Sequence, residues 1–314
     1  MTVKSAASAG SPKAPSRGLS EAGRDAVLKG SAWALLAVAI WSGWIVITRV
    51  AVTTTLTAED LAALRFGIAG ILLLPVIWRR GFGLDRLGWK GLAVVALCAG
   101  VPYVLLASHG LKLARAVEAG VLIPGTIPLF VGILSVLFLG ERLSAVPRVG
   151  LGLIVAGIAI LTTPALLAAA GGQLFGYAIC LFSALIWAIY TIAARRVALD
   201  AIHMTAIITV ISALLFLPIY LLLPGQGLWQ ADARTIVVQL IYQGPLTGIV
   251  ALLAYNRAIP ILGAARTASF TALLPLTTLL LAIPVLGEWP SARDVGGAVL
   301  AATGVLLATG IVRR

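Results

Sequence analysis

Hydrophobic positions along the chain form ten long blocks, separated by short segments that carry most of the charged residues. Each block is close to the roughly 20 apolar residues that an α-helix needs to cross a lipid bilayer. The pattern therefore predicts an all-α polytopic membrane protein with ten transmembrane helices. The blocks lie at residues 31–51, 61–78, 91–111, 116–139, 146–163, 175–194, 203–224, 235–255, 264–287 and 295–311.

The composition points to lipid as the solvent of most of the surface. Hydrophobic residues make up 61% of the 314 residues and charged residues only 11%, whereas a soluble domain carries about 25% charged residues. The net charge of +12 does not indicate nucleic-acid binding, because Lys and Arg lie between the apolar blocks rather than along a solvated face. The expected partners are the bilayer and a small molecule, with no nucleic acid.

The distribution of Lys and Arg predicts how the helices face the two sides of the membrane. Residues 1–29 lack an apolar core and are expected to be a disordered cytoplasmic tail rather than a cleaved signal peptide. With that tail inside, 17 of the 23 Lys and Arg fall in cytoplasmic segments and 5 in external ones, with Arg65 inside the second span. Positive residues accumulate on the cytoplasmic side, so both termini are predicted to be cytoplasmic.

The second half of the chain repeats the first at an offset of about 147 residues. Pro128, Leu139-Gly140-Glu141, Ser144, Gly150 and Gly157 recur as Pro275, Leu286-Gly287-Glu288, Ser291, Gly297 and Gly304, while Trp41 and Arg49 recur as Trp187 and Arg195. The predicted units are a first repeat at 30–164, a connecting loop at 165–174 and a second repeat at 175–312. Because each repeat holds five spans, an odd number, the second is expected to be inverted relative to the first.

These residues also carry a family resemblance. The Leu-Gly-Glu that ends the fourth span, the proline within that span, Arg65-Phe66 in the second span and Trp41 in the first resemble the drug/metabolite transporter superfamily, EamA type, over residues 30–312. Within it, the chain is similar to bacterial exporters of aromatic and other amino acids. The resemblance implies ten helices, outward export of metabolites from the bacterial cytoplasm across the inner (plasma) membrane, and a central cavity built by both halves.

Aromatic and small polar residues deep in the spans are the candidates for that cavity. Trp41 and Trp187 are repeat equivalents about ten residues inside their spans, so they are either two aromatic walls of the cavity or helix-packing residues. Trp33, Trp44 and Trp78 are expected at the membrane interface or in packing. The other candidates for the substrate cavity are Tyr103, Tyr190, Tyr255, Ser108, Ser183 and Asn256.

Charged residues and prolines within or at the ends of spans are the other candidates. Arg65 either extends to the external interface, forms a structural pair or binds a carboxylate at the cavity mouth. Glu141 and Glu288 end spans on opposite sides of the membrane and are interpreted as structural or gate residues. Pro128 and Pro275 are expected to kink long helices that line the cavity.

The function predicted from these features is a secondary transporter that exports small metabolites, with amino acids, including aromatic ones, favoured. Exporters of sugars, nucleotide-sugars or drugs remain alternatives, as does a non-alternating channel or a membrane scaffold.

No phosphate-binding loop, hydrolase motif or metal-ligand spacing occurs, so neither an enzyme nor a cofactor or metal is expected. The first span contains no acidic residue, which argues against the carboxylate-coupled exchange of small multidrug pumps. The duplication makes a functional monomer plausible.

Overall fold

The computed structural model describes residues 21–195, 197 and 199–309 of the chain. All regular structure in these residues is helical. Ten long helices, α1–α10, follow one another along the chain. They span Glu21–Thr53, Ala58–Arg80, Leu84–Leu113, Ala116–Leu139, Ala145–Leu167, Gly171–Ala194, Ala201–Leu222, Ala233–Leu262, Arg266–Leu286 and Ala292–Ala308.

Nine of these helices, α1–α9, are long and apolar enough to cross a membrane, counting only the described residues. The tenth, α10, has 17 residues and ends at Ala308, one residue before the described part of the chain stops. Each of the ten apolar blocks therefore corresponds to one helix. Polar caps define several starts: Thr57 and Asp60 form a reciprocal capping box at α2, and Ser291 and Asp294 form one at α10.

Two predicted boundaries differ from the structure. Helix α1 already begins at Glu21, inside the segment expected to be a disordered tail, because residues 21–29 are mostly good helix formers that continue the register of the span. Residues 1–20 of that tail lie outside the described residues. The expected loop at 165–174 is only Ala168–Ala170, because α5 extends to Leu167 and the two glycines at 171 and 172 start α6.

Four helices contain irregular turns near the middle of the molecule. In α4 a π-helical turn covers Val121–Gly125, and in α9 a 3₁₀ turn covers Phe270–Leu273, at the equivalent place in the second repeat. Helix α3 bends at Gly100, and α8 contains a π-helical segment at Tyr242–Val250. Each of these irregularities either contains a proline or lies two residues before one, and proline removes a backbone donor and disturbs the helical ladder. The kinks expected near Pro128 and Pro275 are therefore part of a wider set.

The packing of the helices reflects the duplication. Helix α5 packs along α10 and α2 along α7, while α1 packs on α8 and α9 just as α6 packs on α3 and α4. Exchanging the two repeats leaves this set of contacts unchanged. The five helices of each repeat therefore do not form separate bundles, because each repeat completes the core of the other.

Small residues bring α5 and α10 into close contact. A Cβ atom added at Gly150 would lie 2.6 Å from the carbonyl oxygen of Gly304, and one added at Gly157 would lie 2.6 Å from that of Gly297. Gly150 and Gly157 are the repeat equivalents of Gly297 and Gly304, so the two contacts are symmetric copies of one another. Close backbone approach at small residues is a common way for membrane helices to associate, since lipid provides no hydrophobic drive between them.

Candidate functional site

A cavity of about 640 Å³ lies between the two repeats. Its lining comes from α1 to α4 of the first repeat and from α6, α8 and α9 of the second, with the ends of α5 and α10 at its rim. The volume falls within the roughly 300–1,000 Å³ of typical small-molecule sites. The predicted candidates that line it are Trp41, Arg65, Tyr103, Pro128, Glu141, Trp187 and Tyr255.

Aromatic rings form the walls of the cavity in two groups. Trp41 of α1 lies 5.4 Å from Tyr255 of α8, measured between ring centroids, and Trp187 of α6 lies 4.6 Å from Tyr103 of α3. Each tryptophan thus packs against a tyrosine from the third helix of the other repeat. Tyr190 is not part of the lining but packs edge-on behind Trp187, with ring centroids 5.2 Å apart.

Trp44, for which an interfacial or packing position was expected, is packed in the interior and also lines the cavity. Its side chain is 5% exposed, and its indole nitrogen donates a hydrogen bond of 2.9 Å to Gln243. The ring stacks with that of Tyr103 at 6.3 Å between centroids. The sequence spacing could have predicted this position, because residues three apart, such as Trp41 and Trp44, lie on the same face of a helix.

Arg65 lies on the cavity wall about two turns inside α2. The guanidinium carbon lies 5.5 Å from the ring centroid of Trp44, and its buried Nη1 has no hydrogen-bond partner. The acids near it in sequence bind elsewhere. Glu59 contacts His109 at 3.1 Å, while Asp60 accepts hydrogen bonds from Thr57 N, Gly227 N and the Tyr220 hydroxyl.

Several predicted candidates lie outside the cavity lining. Ser108 and Ser183 are completely buried, and the Ser183 hydroxyl donates to the carbonyl of Cys180 at 2.7 Å. Small hydroxyl residues fit the tight contact between α3 and α6, so their depth in the membrane does not by itself bring them to a cavity. Asn256 follows Tyr255 on a neighbouring face of α8, and Pro275 is buried within α9.

Among the described residues, the lining of the cavity reaches the helix ends at one side of the molecule. Glu141, Arg195 and Thr309 lie at this open mouth. Neither Glu141 nor Arg195 forms a side-chain ion pair or hydrogen bond within the part of the chain that the structure describes. Among those residues, no ion pair therefore closes the mouth.

The opposite side, here named the closed end, is held by Arg49, Glu288 and Ala116. Arg49 Nε donates to Glu288 Oε1 at 3.4 Å, and the other carboxylate oxygen of Glu288 accepts from the backbone N–H of Ala116 at 2.9 Å. Arg49 also donates to the carbonyl oxygens of Leu111 and Lys112, at 2.5 and 3.0 Å. These contacts join α1, α3, α4 and the end of α9 into one layer.

A second ion pair lies beside the closed end. Arg115 contacts Asp294 at 2.9 Å, and Glu118, only 4% exposed, accepts hydrogen bonds from the Arg115 backbone and from Gln173. Burial opposes the charge of Arg115, but the hydrogen bond to Asp294 and its negative charge outweigh it and raise the pKa of Arg115 above its ordinary value. This segment is thus tied into the packed layer.

The described residues contain no group of three or more His, Cys, Asp or Glu side chains suited to hold a metal ion. Ring faces, hydroxyls and the guanidinium of Arg65 provide the chemistry of the inner cavity, and Arg195 and Glu141 add a charge of each sign at the mouth. Such a lining suits reversible binding of a small molecule.

The comparison with known protein families decides what kind of membrane protein this is. The model of the EamA-like transporter family matches residues 28–163 and again residues 174–310. The chain belongs to the EamA-like transporter family. It is therefore a multi-pass membrane transporter of the drug/metabolite transporter superfamily, as the resemblance seen in the sequence implied.

Two relatives of this EamA-like transporter are also named as transporters. The "Uncharacterized transporter YyaM" of Bacillus subtilis (strain 168) is 27% identical over 273 residues, covering 80% of this chain and 84% of that protein. An "Uncharacterized transporter" of Archaeoglobus fulgidus is 26% identical over 281 residues, covering 87% and 95%. A solved crystal structure matches with a TM-score of 0.60 at 23% identity, covering 93% of this chain and 98% of the other. At that identity the likeness is one of fold.

Proposed function

We propose that this EamA-like transporter is a secondary transporter that exports small metabolites across the bacterial inner membrane, with amino acids, including aromatic ones, as its main cargo. Transport proceeds by alternating access of the two inverted repeats around the central cavity. The proposed topology places both termini in the cytoplasm and the open mouth on the cytoplasmic side.

The observation that carries the proposal is a difference between equivalent residues. At the closed end, Arg49 is paired with Glu288. Their repeat equivalents, Arg195 and Glu141, lie unpaired among the described residues at the open mouth. If the repeats exchanged conformations, Arg195 and Glu141 would pair and the other end would open. Two near-equivalent halves in different conformations are what alternating access requires.

The direction of transport follows from the proposed topology. The open mouth lies beside Arg195 and Glu141, at connections assigned to the cytoplasm by the excess of Lys and Arg. A cavity open to the cytoplasm takes up its substrate from inside the cell. The described state is thus the loading state of an exporter.

The lining supports a cargo with an apolar or aromatic part. The rings of Trp41, Tyr255, Trp187 and Tyr103 offer faces for stacking on an aromatic ring or for attraction of an ammonium group. Arg65 at the inner wall can bind a carboxylate, and the ring faces can attract an ammonium group. The cavity therefore offers a partner for each charged group of a zwitterion.

Counterflow in proteoliposomes tests the proposal. Vesicles loaded with unlabelled Phe, Trp or Thr should accumulate the same labelled amino acid transiently and with saturation. Trp41→Ala and Trp187→Ala should reduce this flux at least about tenfold, the factor that corresponds to 1.4 kcal/mol of lost binding. The control is Trp78→Ala, which removes a tryptophan that is 88% exposed and outside the cavity lining.

Each other outcome leads to a different conclusion. Flux that does not saturate and shows no counterflow would identify a channel. Counterflow of sugars or drugs without that of amino acids would replace the cargo but keep the mechanism. Flux that survives both tryptophan substitutions would place the binding site elsewhere.

A further inference from the structure

We propose that Arg65 is the anchor of an organic-anion site, so that the cavity selects small carboxylates with an aromatic or apolar body and does not require an ammonium group on them. The proposal deepens the proposed function and rests on it for transport. The binding site itself does not depend on it, so the two can be tested separately.

The first observation is the position of the guanidinium. Arg65 belongs to the cavity lining on the side of the closed end, far from the mouth at Glu141 and Arg195. It lies against the face of Trp44 at 5.5 Å, which holds it by a cation–π contact. A ligand that enters through the mouth therefore meets this charge at the inner end of the cavity.

The second observation is that Arg65 has no anionic partner among the described residues. Its Nη1 is buried and makes no hydrogen bond. The two nearest acids in sequence are engaged by other groups: Glu59 by His109, and Asp60 by Tyr220 and by backbone N–H groups. A charged group inside a membrane protein is costly unless it is paired. An unpaired guanidinium that faces a cavity is therefore a binding site for an anion.

The third observation concerns the other charges of the lining. Glu141 is the one acidic residue in the part of the lining that the structure describes, and it lies at the mouth. Near Arg65, the described lining therefore offers no carboxylate that could bind the ammonium group of a substrate. The aromatic faces of Tyr103 and Trp187 accept an ammonium group, but they accept an uncharged ring equally well. The amino group of a substrate is therefore tolerated and not required.

The chemistry of one guanidinium favours a carboxylate over a phosphate. Arg binds a carboxylate through two parallel hydrogen bonds in a planar arrangement. A phosphate dianion requires further basic groups, and the described lining offers only Arg195 at the mouth. The rings of Trp44, Tyr103 and Trp187 follow one another from Arg65, with centroid spacings of 6.3 and 4.6 Å. They form a continuous apolar wall for the body of the ligand.

Three molecules with the same phenyl ring test the site. Phenylalanine carries both charged groups, 3-phenylpropionate only the carboxylate, and 2-phenylethylamine only the ammonium. Binding to the full-length purified protein is measured by titration calorimetry. Phenylalanine and 3-phenylpropionate should bind within about fivefold of each other, and 2-phenylethylamine at least about tenfold more weakly, the loss expected for a charge-assisted hydrogen bond. Equal or tighter binding of the amine would overturn the proposal, as would tighter competition by inorganic phosphate.

Substitutions at Arg65 give the second arm. Arg65→Gln should weaken both carboxylates at least about tenfold without changing the amine. Arg65→Lys keeps the positive charge but cannot form the two parallel hydrogen bonds of a guanidinium, so it should weaken binding of both carboxylates severalfold. If the Gln variant fails to fold, the Lys variant tests the proposal in its place. The matched control is Arg257→Gln, because Arg257 also stacks on a tryptophan, Trp33, at 5.1 Å but lies outside the lining. Equal losses in the control would overturn the proposal.

Counterflow separates this proposal from the proposed function. Binding of carboxylates that depends on Arg65, without counterflow of any of them, would support the site and contradict the transport cycle. Counterflow of 2-phenylethylamine that Arg65→Gln leaves unchanged would support a transporter and overturn the anion site.

Discussion

Arg49 and Glu288 join the two repeats across the closed end of the cavity, with Arg49 Nε 3.4 Å from Glu288 Oε1. Both side chains are mostly buried, with 17% and 15% of their surface exposed. Glu288 also accepts the N–H of Ala116, at the start of α4. The pair therefore links the end of α1 to the end of α9 and the start of α4. We expect this pair to separate when the protein opens on this side.

Substitution of Glu288 should open the closed end. Glu288→Ala removes both hydrogen bonds and leaves Arg49 partly buried without its acid, at a cost of about 1–3 kcal/mol. We expect faster labelling from the outer side of a cysteine placed at Val131, on the cavity wall, by a membrane-impermeant thiol reagent. The background should carry Cys98→Ala and Cys180→Ala. Unchanged labelling would contradict a gate at this pair.

The equivalent residues of the other repeat should act in the opposite direction. Glu141→Gln and Arg195→Gln remove a pair that we expect only when the mouth closes. The conformation with the open mouth and the closed end should then be favoured, and labelling of the Val131→Cys protein from the outer side should slow severalfold. Acceleration by these two substitutions would show that the repeats do not exchange conformations.

Alanine at the close contacts of α5 and α10 should lower thermal stability. In Gly150→Ala and Gly157→Ala the new methyl groups would meet backbone atoms at 2.6 Å, and overpacking of this kind costs about 1–3 kcal/mol. The matched control is Gly152→Ala on the same helix, where a Cβ meets nothing within 4 Å. The unfolding temperature of the detergent-solubilised protein should fall only in the first two variants. A similar fall in the control would contradict this account, because alanine is a better helix former than glycine and meets no neighbour at position 152.

The buried carboxylate of Asp60 should matter more than an exposed one with the same local role. Asp60 is fully buried and accepts from Thr57 N at 2.7 Å, Gly227 N at 2.9 Å and the Tyr220 hydroxyl at 2.5 Å. Asp60→Asn removes the charge that strengthens these hydrogen bonds and replaces one of the two acceptor oxygens by an NH2 group, so about 1–3 kcal/mol should be lost. The control Asp232→Asn changes an exposed N-cap, where Asn serves nearly as well. If Asp60→Asn and Asp232→Asn had equal unfolding temperatures, this account would be contradicted.

The helices and the repeat were predictable because they depend on local composition. Apolar blocks long enough for a bilayer have few alternatives to a helix, since backbone groups in lipid must be hydrogen bonded within the segment. The duplication was visible in matched Pro, Trp and Gly-Glu positions such as Trp41 and Trp187. Boundaries were less accurate where helix formers continue a span, as at the start of α1.

The membership of the cavity was predicted only in part. Trp41, Trp187, Tyr103 and Tyr255 line it together. Ser108 and Ser183 instead lie within helix contacts, while Trp44 joins the lining. A membrane helix is apolar on all sides, so the contrast between polar and apolar faces that reveals the buried side of a soluble helix is weak. Depth in the membrane is readable from such a sequence, and the direction of a side chain is not.

The sequence by itself determined that this is a membrane protein of helical spans, that it is duplicated, and that it resembles the EamA-type transporters. Only the tertiary structure decided that Arg49 pairs with Glu288 while Arg195 and Glu141 stay apart, and that Arg65 faces the cavity without an acid. The physical reason is that two equivalent repeats carry almost the same local preferences. Which of them closes its end of the cavity depends on contacts between residues far apart in the chain, and no local pattern records those.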